Sequence, residues 1–138
     1  MLPNRVRQEH SDGCFVACVA MLLGVSYLEA FKLVHPTRYV DEYGYGFAGV
    51  EGMDPVADAF KILERLNLNP RLANVKDMKY LRRTALVIIR WKYSPELMHA
   101  VVFNPVAKKI LDPAYETASH MKRYADQMEA AIYISKAA

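Results

Sequence analysis

Apolar side chains first concentrate in an unbroken stretch at residues 15–25, eleven positions that include Gly24. Such a run suits a helix buried on all sides better than a surface helix, which would carry one apolar stripe. Ser11 and Asp12 offer caps just ahead of it, so the pattern predicts a central helix that starts near Gly13 or Cys14. Residues 1–10 carry Pro3 and scattered charges without a period and are expected to lie extended over the surface. Ser26, followed three residues later by Glu29, forms a capping box, because hydroxyl and carboxylate satisfy each other's orphan amides; a second helix should run from there to about Val34. Asp54 as N-cap and Pro55 at the first helical position open a third helix. Its Val56, Ala59, Phe60, Leu63 and Leu66 keep the i, i+3, i+4, i+7 spacing of a buried stripe, opposite a polar face of Asp58, Lys61 and Arg65.

Beyond Pro70 the period changes toward strands. The segment 84–91 (TALVIIRW) is apolar and β-branched enough for a central strand, and 98–103 and 108–112 flank a turn at Asn104-Pro105. A short helix is expected over 119–127, and 130–136, with Ile132-Tyr133-Ile134, should return to the sheet. Between the second and third helices, 36–53 holds four of the six glycines among Tyr39, Tyr43, Tyr45 and Phe47. This long loop either lines a cleft or lies on the surface, anchored by its aromatics. Helices first and strands second, without repeats, imply one α+β domain over 1–138, its N-terminal helices packed on a C-terminal, mostly antiparallel sheet.

Composition narrows the classes further. With 138 residues, 53% hydrophobic and 24% charged, the chain is neither disordered, collagen-like nor a coiled coil. A formal charge of +3 falls short of a surface that tracks phosphates, so no nucleic acid partner is expected. The eleven-residue apolar run is well short of the roughly 20 residues a membrane span requires. Arg5 and Arg7 mix with Glu9 and Asp12 ahead of it, a poor secretory leader, and two cysteines four apart are no disulfide framework. A cytoplasmic location is expected.

The chemistry centres on Cys14. In the first turn of an apolar helix, unpaired amides and the helix dipole favour thiolate over thiol, which suits a nucleophile. Cys18, one turn on within the apolar run, reads as an inert core thiol. A thiolate wants a histidine partner, and among His10, His35, His99 and His120 only His99 has a strand context. If the turn comprises 104–107, Phe103 faces Lys108 and His99 faces Asp112, so that a carboxylate can hold the imidazole ring and its tautomer. Gln8, six residues before Cys14, can join the Cys14 amide in donating to an oxyanion. Lys79, Arg82 and Arg83, like Lys122 and Arg123, read as solvated faces, and His10, His35 and His120 receive no role.

This order of Gln, Cys at a helix start, His on a strand and Asp on the next resembles the papain-like superfamily. Within it the chain is nearest to the bacteriocin-processing peptidase domains that remove double-glycine leaders. The resemblance runs over nearly the whole chain: Gln8, the block Asp12-Gly13-Cys14-Phe15-Val16-Ala17-Cys18-Val19-Ala20-Met21, the helix of 54–66, His99-Ala100-Val101-Val102-Phe103 and Asp112-Pro113-Ala114. Gly13-Cys14-Phe15 itself follows the small-Cys-aromatic order of papain. The resemblance implies a free-standing cysteine peptidase acting on a peptide or protein substrate without a cofactor. By position, its oxyanion donor, nucleophile, base and orienter are Gln8, Cys14, His99 and Asp112.

Two other readings stay open at this level. The domain could bind a peptide or protein without catalysis, keeping Cys14 as a small buried residue. Alternatively, the same triad could hydrolyse a side-chain amide or pass the acyl group to an amine. Cys14 and Cys18 as metal ligands would need further Cys or His at zinc-site spacing, which the chain does not offer, so no metal is expected.

Overall fold

The computed structural model describes residues 13–36, 55–90, 98–113, 119–120, 124 and 127–135. Expectations for Gln8, His10, Ser11, Asp12, Asp54 and the glycine-tyrosine segment fall outside the described residues. Helix α1 (Cys14–Leu23) forms from the densest apolar run in the chain, and its residues from Cys14 to Leu22 are all buried. Its N-cap is Gly13, which brings no side chain to the first turn. Gly24 ends the helix in the left-handed region at φ 71°, where a residue without Cβ is unstrained, and its N–H bonds the Ala20 carbonyl at 2.9 Å.

Helix α2 (Tyr27–Val34) starts where the capping box places it. The Ser26 hydroxyl oxygen accepts from the Glu29 amide at 3.1 Å, and the Glu29 carboxylate accepts from that hydroxyl at 3.2 Å. Helix α3 (Pro55–Arg65) buries Ala59 and Leu63, with Val56, Phe60 and Leu66 packed against the same core. Asp58, expected on the polar face, is buried instead: it lies one turn before Ile62, which also packs on the core, so the covered face is wider than the stripe. Arg65 is exposed, and its guanidinium donates to the carbonyls of Leu33 at 2.6 Å and Val34 at 3.2 Å. A cation thus closes the C-terminal end of α2, where orphan carbonyls and the negative end of the dipole coincide.

The sheet has six strands: β1 (Arg71–Leu72), β2 (Ala85–Arg90), β3 (Met98–Asn104), β4 (Lys109–Leu111), β5 (Ser119–His120) and β6 (Met128–Tyr133). They lie in the order β1-β6-β2-β3-β4-β5, and every neighbouring pair is antiparallel. The fold is therefore α+β, helices before sheet. Strand β2 is central, and Ala85 to Ile89 are all fully buried because both faces of the sheet are covered. Leu86, Ile88, Ala100 and Val102 face the helices, whereas Val87, Ile89, Val101 and Phe103 face Met78, Leu81 and Tyr124. Double cladding explains an unbroken apolar strand in an antiparallel sheet, where alternation is the rule. Among the described residues no single helix is long and apolar enough to cross a membrane; α1 and α2 together are bent by 108°.

Three expectations are corrected. Ser119 and His120 form an edge strand against Ile110 and Lys109 instead of opening a helix, since pairing with β4 outweighs local helix propensity. Strand β6 begins at Met128, two residues early, because a bulge lets Met128 pair with Ile89 while Ala130 pairs with Ile88. The extra residue, Glu129, reaches Arg90 Nε at 2.6 Å. The third correction concerns the β3–β4 turn. Asn104 stays in the ladder opposite Lys109, and Phe103 faces Ile110 rather than Lys108. The Asn104 side-chain carbonyl accepts from the amides of Val106 at 3.1 Å and Ala107 at 3.4 Å, and Lys108 leaves the ladder at φ 52°. The turn is therefore 105–108, as long as expected but one residue further along.

Candidate functional site

Cys14 is the first residue of α1, the helix that packs on β3, and is 5% exposed. His99 is the second residue of β3, and Asp112 follows immediately on β4. The shifted turn places Asp112 opposite Val101, two pairs away from direct opposition to His99. Because both strands move together, the parity of facing positions is kept, and the two residues remain on one side of the sheet as diagonal neighbours. The side chains span the difference: His99 Nε2 lies 2.6 Å from Asp112 Oδ1, with both groups buried.

Cys14 and Asp112 are the two groups that act on the His99 proton, so the imidazole belongs to both the sulfur and the carboxylate. With Nε2 engaged by Asp112, Nδ1 is the ring nitrogen left for the sulfur. Burial by itself pushes the imidazole toward its neutral form. The Asp112 hydrogen bond, with the electrostatic pull of Cys14 and Asp112, overrules that push and lifts the His99 pKa from 6.5 to about 9. Around neutral pH the ring is therefore an imidazolium beside the Asp112 carboxylate. This order of groups provides a sulfur, a protonated imidazole that answers to it and a carboxylate that fixes the ring.

Cys18 lies one turn into α1 with no exposed surface. Burial, then the charges of Cys14 and Asp112, push its thiol well above the ordinary range, so it carries its proton. That agrees with its reading as a core thiol. His35 closes α2 and stacks edge-on against Phe31, with ring centroids 5.0 Å apart. Among the described residues no three His, Cys, Asp or Glu side chains converge as metal ligands would.

One member of the cluster escaped sequence reasoning. Tyr124, 2% exposed, donates its hydroxyl to Asp112 Oδ2 at 2.7 Å. No spacing rule connects a tyrosine in the β5–β6 connection to an aspartate twelve residues earlier. The only local signal was an aromatic with a polar tip, which when buried usually finds a partner. Of the four residues singled out from sequence, Cys14, His99 and Asp112 come together, and Gln8 lies outside the described residues. No family model matches the chain, and a search of curated proteins finds no relative.

Proposed function

We propose that the protein is a cysteine peptidase of papain-like type, with Cys14 as nucleophile, His99 as proton carrier and Asp112 as the group that orients it. The observation that carries this reading is the buried imidazole, bonded to Asp112 through Nε2 at 2.6 Å and acted on by Cys14 at the start of a buried helix. A structural histidine needs one partner in a core; an acyl-transfer centre needs these two on opposite ring nitrogens.

In the first half-reaction the Cys14 thiolate attacks the scissile carbonyl carbon, and the oxygen takes up the negative charge. The Cys14 backbone N–H and the Gln8 side-chain amide donate to that oxygen, the latter by its place in the sequence pattern. His99 passes its proton to the leaving amine as the C–N bond breaks, leaving a thioester on Cys14. Water then attacks the thioester, His99 takes its proton, and the C–S bond breaks to release the carboxylic acid and restore the thiolate.

Alkylation separates this reading from a binding module. At pH 6 an ordinary thiol with pKa near 8.5 is almost wholly protonated. Iodoacetamide should nevertheless label Cys14 selectively, leave Cys18 untouched, and label His99→Ala far more slowly. A peptide-library screen should then yield cleavage that Cys14→Ala abolishes. Equally slow labelling in wild type and His99→Ala would overturn the proposal.

A further inference from the structure

The buried carboxylate at the end of the site meets a side-chain partner at each of its two oxygens. Oδ1 faces His99 Nε2 at 2.6 Å, and Oδ2 accepts from the Tyr124 hydroxyl at 2.7 Å. Asp112 has no exposed surface and Tyr124 has 2%, so at Oδ2 the phenol stands where water would stand at an exposed site. A carboxylate held by one oxygen alone rotates about its Cβ–Cγ bond and carries the imidazole with it. Held by both oxygens, it has a single orientation.

We propose that Tyr124 is a positioning residue of the site, acting through Asp112: its hydroxyl fixes the carboxylate plane and keeps Asp112 an acceptor toward His99 Nε2, so that Nδ1 points at Cys14. The inference rests on the peptidase reading for its purpose and on geometry for its content. Tyr124 belongs to the second face of the sheet, packed with Val101, Phe103 and Ile110, so its ring is anchored by the core while its tip serves the site. Removing only the oxygen leaves the packing intact and takes a donor from a buried anion. Hydrogen bonds of this charged kind are about twice as strong as neutral ones.

The test is Tyr124→Phe, read against Asp112→Asn and the double variant, with Cys14 alkylation at pH 6 and the His99 titration followed by imidazole nitrogen NMR. Tyr124→Phe should slow labelling about tenfold and lower the His99 midpoint from about 9 by about one pH unit, at unchanged far-ultraviolet circular dichroism. In the Asp112→Asn background the same substitution should add little, because the carboxylate charge that Tyr124 serves is gone. A purely packing role would instead give no change in the midpoint, or equal effects in both backgrounds, and either result overturns the proposal. If Tyr124→Phe does not fold, the wild-type protein still decides: a slowly exchanging downfield hydroxyl proton assigned to Tyr124 supports the bond, and its absence overturns it. Failure of wild-type Cys14 to label selectively would instead sink the peptidase reading and leave the Tyr124–Asp112 bond standing.

Discussion

Deprotonating His99 should weaken the folded state, and the structure fixes the sign. The imidazole titrates at about 6.5 in an unfolded chain and about 9 in the folded one. A raised folded pKa means that the native state holds the proton more tightly. The resulting stabilisation is complete below pH 6.5 and disappears as pH climbs through 9. At roughly 1.4 kcal/mol per pH unit, the interval corresponds to about 3 kcal/mol, a large share of the 5–15 kcal/mol typical of a domain. His99 is 4% exposed, so little of this is screened by solvent. The measurement is urea unfolding of wild type and His99→Gln at pH 6, 7.5 and 10. Lysines, tyrosines and Cys18 titrate in both proteins, and the difference between them isolates the imidazole. The wild-type advantage should shrink by about 3 kcal/mol between pH 6 and pH 10, with most of the loss between 7.5 and 10. A difference independent of pH would refute the buried imidazolium.

Two further substitutions probe the site and the core that supports it. Asp112→Asn keeps the shape and can still face Nε2 with its amide oxygen, but it loses the carboxylate's charge; peptide cleavage should fall about tenfold or more while the protein stays folded. An unchanged kcat/KM would show that Asp112 does not orient the ring. Leu63→Ala empties a fully buried position where α3 meets the core and should cost about 2–5 kcal/mol in chemical denaturation, and a smaller loss would mean that α3 packs loosely.

Fold and site were legible to different depths for physical reasons. Helix α1 and strand β2 stand out because a segment covered on every side must be apolar at every position, and such runs are rare enough to identify. The His99–Asp112 pairing was recoverable despite a misplaced turn, since a displacement shared by both strands leaves alternate faces unchanged; an odd error would have sent Asp112 to the helix side. Asp58 misled because its burial depends on where α3 settles, which the polar pattern alone does not state. Strand β5 was invisible for a similar reason. Two residues become a strand only by virtue of the neighbour they pair with, and Ser119 and His120 carry no alternation of their own. Tyr124 depends on two long-range choices at once, the position of the β5–β6 connection and the orientation of Asp112.

The strand order gives the members of the site unequal anchorage. His99 sits on β3, bonded on both sides within the middle of the sheet, whereas Asp112 follows β4, whose outer neighbour is the two-residue β5 at the margin. Thermal fraying begins at margins, where few rungs must break. Peeling β4 and β5 away would detach the carboxylate while the sulfur and imidazole stayed in register on α1 and β3. Loss of the carboxylate from the cluster should thus precede global unfolding, and a ligand clasping that margin would hold the cluster together by mass action alone.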